Sequence, residues 1–292
     1  MIVATVDVGG SQTTVAITDD VRRAVVRRGP GSPVRPGRAI LTATAVAELV
    51  RGGLAEAGYL RADCLVVGAA GAGNATDADE LRAALVREGM ADRVIVTTDV
   101  LLALAALGDG PVAILVAGTG SIAIGRVEDG RVIRQGGYGW QMGDEGSGYW
   151  IGREALHAAG AAEDGRGPAT TLAARLTAAV RGATIRDLVG WSTGAAPREV
   201  AGLVPTVATA AADGDAVARA ILAAAGEQLG QLVDGLARQF PAGAAVPLGL
   251  TGGLIGAGGP LRQTVSDRVR PPFALLPEPV DALLGGPRLA VS

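Results

Sequence analysis

Short apolar runs alternate with longer segments of helical spacing along the first third of the chain. Five of these runs are rich in β-branched residues and predict strands, at 2–8, 13–18, 23–28, 64–69 and 94–97. Three segments repeat apolar residues every three or four positions and predict helices, at 39–57, 77–88 and 99–107. Because strands and helices alternate, the pattern indicates an α/β layer.

The same pattern starts again near residue 112. Strands are predicted at 112–117, 122–127 and 131–135, helical spacing dominates 149–240, and the chain closes with strands at 246–250 and 273–276 and helices at 261–269 and 280–284. Both halves therefore open with a strand, a glycine-rich turn, a strand, a turn and a strand, which indicates an internal repeat. Since 292 residues exceed the usual size of one core, we expect two domains with a boundary near 107–111.

Composition excludes several classes of protein. The net charge of −3 argues against a sequence-independent nucleic-acid binder, which needs a basic face. Lysine is absent, which rules out a Walker-type phosphate loop, a Schiff-base enzyme and a lysine-dependent β-lactamase. The single cysteine, Cys64, allows no intrachain disulfide or cysteine metal site, and its apolar surroundings predict a buried side chain. No apolar run reaches the roughly 20 residues that span a bilayer, so we expect a cytoplasmic protein without a membrane partner.

Two glycine turns are candidate phosphate-binding elements. In the first, backbone N–H groups of Gly9 and Gly10 and the hydroxyls of Ser11 and Thr13 can bind phosphate, and Asp7 can hold Mg²⁺. An ordinary hairpin is the alternative. The second turn consists of Gly118, Thr119, Gly120 and Ser121. It also fits the dinucleotide fingerprint, but that motif requires a helix after the turn and here a strand follows.

Two acidic positions are further candidates. Asp99 follows a predicted strand and precedes a helix, where it can be a general base or an ordinary N-cap. Asp144 and Glu145 lie in the glycine-rich stretch 136–152, which also contains two Trp and two Tyr and suits a polyhydroxylated ring. The alternative is a glycine turn capped by Asp144 or Ser147 before a core helix.

Taken together, the two phosphate turns, the acid between them and the late Gly-Gly turn at 252–253 resemble the sugar kinase, hexokinase and actin superfamily. The segment Gly-Asp-Glu-Gly-Ser-Gly-Tyr-Trp-Ile-Gly-Arg-Glu-Ala at 143–155 is similar to the signature of the BadF/BadG/BcrA/BcrD group, above all of its N-acetylglucosamine kinase branch. The resemblance implies two ribonuclease-H-like, actin/hexokinase-type α/β domains with a ligand cleft between them. It places them at 1–109 and 110–277, with a C-terminal helix at 278–292 that returns to the first domain.

The resemblance also implies the roles of particular residues in an ATP-dependent sugar kinase. Asp99 would deprotonate the sugar 6-hydroxyl as it attacks the γ-phosphate, with Mg²⁺ on Asp7. Sugar-binding candidates are Asp144, Gly137, Gly139, Gly71 and Ser32. Nucleotide-binding candidates are Gly9, Gly10, Ser11, Gln12, Thr13, Gly118, Thr119, Gly120, Ser121, Gly252 and Gly253. The expected partners are ATP, a small sugar and a second copy of the chain.

Three departures from the family pattern bear on the substrate. Gln12 stands where the family often carries a cation, Ile122 where acetamido-sugar kinases can carry Asn, and the 29–33 loop has no Asn. We therefore expect N-acetylglucosamine or a related hexosamine or hexose as the substrate, with glucosamine, glucose or a natural-product aminosugar favoured, because an unbound acetamido group would leave buried polar atoms unpaired. A non-catalytic sugar sensor is the alternative. An ATPase activator of 2-hydroxyacyl-CoA dehydratases is disfavoured, since it needs two cysteines per subunit.

Overall fold

The computed structural model describes residues 1–10, 12–19, 23–241 and 243–291. The chain divides into two compact units, the first made of Met1–Val112 with Val280–Ser292 and the second of Ala113–Pro279. Within the described ranges, no helix is both long enough and apolar enough to cross a membrane.

The first unit is built on a five-stranded mixed sheet with the order β3-β2-β1-β4-β5. Its strands are β1 (Val3–Val8), β2 (Gln12–Thr18), β3 (Arg23–Pro30), β4 (Ala62–Ala69) and β5 (Ala91–Thr97). β2 is antiparallel to β1 and β3, whereas β4 is parallel to β1 and β5. Its helices are α1 (Ala39–Glu56), α2 (Ala75–Arg87), α3 (Asp99–Ala106) and, after a 3₁₀ turn at Ala282–Leu284, the last helix α11 (Gly285–Val291).

Alternation along β1 sends side chains into two cores. Val6 and Val8 are buried in a cluster with residues of α1 such as Val46. Val3 is buried on the other side with Leu102 of α3 and Ala290 of α11. Cys64 is buried in the same small cluster, which confirms its expected role as a small apolar side chain.

The structure corrects two predicted helix boundaries. α2 begins at Ala75 rather than 77, because the side chain of Asn74 caps it and accepts the N–H of Thr76 at 2.9 Å. The last helix was predicted at 280–284, but that segment contains only the 3₁₀ turn Ala282–Leu284, and α11 follows it from Gly285 to Val291. A Cβ on Gly285 would collide with the carbonyl of Leu102 and a Cβ on Gly286 with the side chain of Thr5, so these glycines permit close packing at the start of α11.

The second unit is built on a five-stranded sheet with the order β10-β9-β6-β7-β8. Its strands are β6 (Val112–Ala117), β7 (Ser121–Arg126), β8 (Val132–Gly136), β9 (Val246–Thr251) and β10 (Phe273–Leu275). Its helices are α4 (Gly148–Glu163), α5 (Leu172–Ala179), α6 (Ile185–Gly194), α7 (Pro197–Ala201), α8 (Val204–Ala212), α9 (Ala216–Ala237) and α10 (Arg262–Ser266). Leu115 of β6, Ile151 of α4 and Leu229 of α9 lie fully buried in its core.

The two sheets have one topology. In each, the first strand, β1 or β6, is central, the next two strands lie on one side of it and the two later strands on the other. This confirms the internal repeat and the α/β fold class predicted from the sequence.

Candidate functional site

Asp7 lies at the end of β1 where three parallel strands finish together. It is paired in register with Gly68 of β4, and Gly68 is paired with Thr97 of β5. An ideal Cβ on Gly68 would lie 2.6 Å from the Cβ of Leu102, so α3 packs directly over this glycine. The missing side chain therefore allows the start of α3 to lie close to the sheet edge that carries Asp7.

Asp99 is the first residue of α3 and not its N-cap. The N-cap is Thr98, whose Oγ1 accepts the N–H of Leu101 at 3.1 Å. The Asp99 carboxylate accepts the neighbouring N–H of Val100, at 3.0 Å, and the N–H of its own backbone. Capping thus does not explain Asp99, which leaves its half-buried carboxylate available for chemistry.

Electrostatics in this part of the first unit favour the protonated carboxyls. Burial, followed by the negative charges of Asp99 and Asp281, raises the pKa of Asp7 to about 7. Burial also raises the pKa of Asp99, against a lowering contribution from the Val100 N–H. Asp281 caps the 3₁₀ turn near the end of the chain through the Leu283 N–H at 3.1 Å. A cation or an attacking hydroxyl would therefore meet desolvated carboxyl groups here whose pKa values lie above the ordinary range.

The first glycine turn joins β1 to β2. The N–H of Gly9 donates to the carbonyl of Gln12 at 2.9 Å and closes the turn, and Gly10 is half-buried. Ser11 lies outside the described residues. Gln12 is exposed, whereas Thr13 is buried and its hydroxyl has no partner among the described residues.

Gly71 and Ser32 belong to neighbouring loops of the first unit. Gly71 has a φ of +90°, and an added Cβ would collide with the carbonyl of Val34. The N–H of Val34 donates to Ala70 at 2.8 Å, which holds the loop containing the half-buried Ser32 against the end of β4. These two candidates therefore lie on adjoining segments.

The second glycine turn is fixed to the start of α4. The carbonyl of Gly118 accepts the N–H of Gly148 at 2.8 Å, and the carbonyl of Thr119 accepts that of Tyr149 at 3.1 Å. Ser147 caps the helix by accepting the Trp150 N–H at 3.2 Å. The N–H groups in the first turn of α4, which lack partners within the helix, are thus hydrogen-bonded to other parts of the protein and are not available to a phosphate.

Asp144 adjoins this turn in a left-handed conformation, with φ of +60°. Its Oδ1 accepts the N–H of Ser121 at 3.3 Å, and a Cβ on Gly120 would lie 2.7 Å from its Oδ2. The Ser121 hydroxyl donates to the Glu145 carbonyl at 2.8 Å. Burial raises the pKa of Asp144, the Ser121 N–H lowers it and the charge of Glu145 raises it. Ser147, not Asp144, caps α4, so capping does not explain Asp144 either.

The loop between β8 and Asp144 contains the other sugar-binding candidates. Gly137 has a φ of +71°, and an added Cβ would lie 2.5 Å from Cδ1 of Ile122. Gly139 has a φ of +82° and open space around it. The exposed Trp140 packs on Tyr149, with ring centroids 5.2 Å apart.

The Gly-Gly turn at 252–253 meets the end of β6. Gly252 has a φ of +99°, and an added Cβ would collide with the carbonyl of Ala117, which accepts the Leu254 N–H at 3.1 Å. Gly253 has open space around its Cα. The predicted adenosine segment and the second phosphate turn are therefore adjacent in the second unit.

The candidates thus form two groups, one in each unit. Asp7, Asp99 and the first glycine turn belong to the first unit, and Asp144, the second turn and Gly252 to the second. Sequence reasoning missed Gly68, Thr98 and Asp281. A Ser/Thr preceding a helical run is a capping signal that could have identified Thr98. Gly68 interrupts an apolar strand, which can mark close approach of another backbone.

Two sheets of this shared topology, each with a glycine turn after its first strand, define the ribonuclease-H-like fold of the sugar kinase and actin class. Residues 5–273 match the model of the BadF/BadG/BcrA/BcrD ATPase family. The chain belongs to this family, as the 143–155 segment predicted.

Three known proteins illustrate the similarity. An N-acetylmuramic acid/N-acetylglucosamine kinase of Clostridium acetobutylicum is 32% identical over 231 residues, covering 77% of this chain and 75% of that protein. An N-acetyl-D-glucosamine kinase of Dictyostelium discoideum is 29% identical over 61% of this chain and 59% of its own length. A solved structure from Chromobacterium violaceum, described as a candidate N-acetylglucosamine kinase, has a TM-score of 0.81 at 27% identity, covering 100% of this chain and 99% of that one. The prediction of an enzyme of the kinase class is confirmed by these relatives.

Proposed function

We propose that this protein is an ATP-dependent kinase that phosphorylates the 6-hydroxyl of an amino sugar, N-acetylglucosamine or a related hexosamine. The kinases named above supply the class of reaction and of substrate. The position of the transferred phosphoryl group and the residues that act are proposals that rest on the geometry of this chain.

The observation that carries the proposal is the state of Asp99. Thr98 already caps α3, so the Asp99 carboxylate is not required for the helix. Burial raises the pKa of Asp99, and a base whose pKa lies closer to neutrality accepts a hydroxyl proton more readily. We assign Asp99 as the general base that orients and deprotonates the sugar hydroxyl for attack on the γ-phosphate.

The second unit supplies the complementary elements. Asp144 is half-buried, is held by the Ser121 N–H and accepts hydrogen bonds, which suits recognition of sugar hydroxyls. We assign the 118–121 turn to the phosphates and Gly252 and Gly253 to the adenosine. The open space at Gly253 supports that assignment, because a nucleotide ring can approach bare backbone.

Mg²⁺ fits the first unit as a companion of ATP. No group of three or more His, Cys, Asp or Glu among the described residues could hold a metal ion. Mg²⁺ typically uses one or two carboxylates together with substrate phosphates and water. Asp7, whose pKa is raised to about 7, gives one such oxygen ligand, and a bound cation would favour its charged form. The ion would neutralise phosphate charge during transfer.

A coupled assay of ADP release tests the proposal. Mg-ATP is offered with N-acetylglucosamine, N-acetylmuramic acid, glucosamine, N-acetylmannosamine, glucose or no sugar, and the phosphorylated position is read by NMR. We expect sugar-dependent release and a 6-phosphate product. ADP release without any sugar, or phosphate at another hydroxyl, contradicts the proposal.

The role of Asp99 is tested with Asp99→Asn and the matched control Asp109→Asn, an exposed acid of the same unit. We expect Asp99→Asn to lose kcat by at least about 100-fold, in the range of general-base catalysis, while ATP binding persists. Retained turnover in Asp99→Asn rules out the base assignment.

A sugar sensor without turnover is the second candidate. Gln12 is exposed at the start of β2 and brings no positive charge to the first turn, and Ile122 packs on Gly137 where a polar side chain could face a sugar. Calorimetry that detects sugar binding in a protein without kinase activity would favour the sensor. The dehydratase activator is disfavoured by the burial of Cys64. The predicted homodimer and cytoplasmic location stay predictions, to be tested by sedimentation and fractionation.

A further inference from the structure

Arg134 of β8 has a defined orientation but no acidic partner in the described part of the chain. Its guanidinium carbon lies 4.7 Å from the ring centroid of Tyr138. Both side chains are exposed, Tyr138 by 62%. By contrast, Arg131 at the other end of the same strand hairpin donates to Asp129 at 2.8 Å. Stacking on an aromatic ring holds a guanidinium plane while its N–H groups stay free for an anion.

This stacked pair adjoins the proposed sugar-binding loop. Tyr138 directly follows Gly137, and a Cβ on Gly143 would lie 3.3 Å from the Tyr138 Cβ. Gly143 in turn precedes Asp144. The chain of contacts therefore runs from Asp144 through Gly143 and Tyr138 to Arg134, within the second unit.

The charged side chains in and beside this loop are of two kinds, hydrogen-bond acceptors and a hydrogen-bond donor. Asp144 and Glu145 are acceptors and suit neutral hydroxyl groups. Arg134 is a donor whose planar fork matches a carboxylate in two parallel hydrogen bonds. A sugar whose substituents are all hydroxyl groups would bind to Asp144 and Glu145 and would give the Arg134 guanidinium no anion to bind.

We propose that Arg134, oriented by Tyr138, binds a carboxylate substituent of the sugar, so that the substrate is an acidic amino sugar. This inference rests on the proposed kinase function. Hexosamines with a lactyl ether at the 3-oxygen have the required chemistry, and N-acetylmuramic acid is named for the Clostridium relative. Arg134 is then a specificity-determining residue, outside the phosphoryl-transfer machinery.

The test compares kcat/KM for N-acetylmuramic acid with kcat/KM for N-acetylglucosamine. The proteins are the wild type, Arg134→Gln, Arg134→Lys and the matched control Arg131→Gln. We expect the ratio to fall about 2- to 5-fold in Arg134→Gln, the upper part of the range for an exposed charge pair because the guanidinium is oriented. Arg134→Lys keeps the positive charge but loses the planar pair of N–H donors, so the ratio should fall by less than in Arg134→Gln. Arg131→Gln should keep the wild-type ratio.

Salt and nucleotide kinetics provide independent readouts. Raising the ionic strength should lower the wild-type preference for the acidic sugar, because exposed charges are screened, and should have little effect on the Arg134→Gln ratio. An unchanged ratio in Arg134→Gln overturns the inference, as does a rise in KM for ATP that is equal with both sugars. If no sugar of either kind is phosphorylated by the wild type, the kinase proposal itself has failed.

Discussion

Gly68→Ala tests whether close packing of α3 positions the proposed base. Gly68 lies between Asp7 and Thr97 across three parallel strands, and its φ is not in the left-handed region, so alanine is acceptable to the backbone. The added Cβ would lie 2.6 Å from the Leu102 Cβ and 2.7 Å from its Cδ2. Because the nearest atom is a Cβ, rotation of the leucine side chain cannot relieve the collision, and α3 must move.

The size of the effect follows from that geometry. Normal contact needs about 3.5–4.0 Å, so α3 has to shift by roughly 1 Å, and such overpacking costs about 1–3 kcal/mol of unfolding free energy. Asp99 starts α3 and shifts with Leu102. A misplacement of about 1 Å at a reacting group can lower kcat by about 100-fold.

The assay measures kcat, KM for ATP and urea unfolding of Gly68→Ala beside Gly73→Ala, an exposed glycine of the same unit with no atoms near its Cβ position. We expect kcat to fall by 10-fold or more in Gly68→Ala while the protein remains folded, and Gly73→Ala to resemble the wild type. A folded Gly68→Ala protein with kcat within twofold of the wild type would refute the reasoning.

Three further predictions concern titrating groups. Because the pKa of Asp7 is raised to about 7 in the folded state, its charged form destabilises the fold, and this destabilisation is fully present above pH 7. Asp7→Asn should therefore raise the free energy of unfolding by about 1–4 kcal/mol at pH 8 and by little at pH 4. Equal effects at pH 8 and pH 4 in urea titrations would be the contrary result. Asp99 must be deprotonated to act, so kcat/KM should fall as pH drops through its raised pKa, and a profile that stays flat down to the ordinary aspartate pKa of about 4 would contradict this. N–H groups of α9 and of Thr171 lower the pKa of Asp215, so its stabilisation is present above the unfolded pKa of about 4 and is lost as pH falls below it. Asp215→Ala should therefore lower the free energy of unfolding by about 0.5–2 kcal/mol at pH 7, the range for losing an N-cap side chain, as measured by urea unfolding beside Asp213→Asn.

Local sequence signals were sufficient for the sheets and the family. The apolar runs identified both sets of strands, and the repeated opening anticipated two sheets of one topology. Helix ends were less accurate, because a single residue decides them: the Asn74 cap starts α2 two residues early, and α11 starts at Gly285, after the segment predicted as the last helix.

Only part of the candidate site could be predicted from the sequence. The chain order identifies Asp7 and Asp99, since Asp7 lies near the end of β1 and Asp99 follows β5, and these strands run parallel to β4 between them. Gly68 and Asp281 matter through neighbours that are distant along the chain, Leu102 and Asp7, and no local pattern predicts such contacts. The stacking of Arg134 on Tyr138 likewise depends on how a glycine-rich loop folds back.

The position of α11 has a consequence for synthesis of the chain. One face of the first sheet buries Val3 and Leu102 against Ala290, so residues made before the second unit are covered by residues made after it. During translation of residues 113–279, that face lacks its final cover. We expect a nascent chain stalled after residue 279 to recruit holdase chaperones, because exposed apolar surface and unfinished packing promote aggregation. Emergence of residues 280–291 from the ribosome would then complete the packing of the first unit.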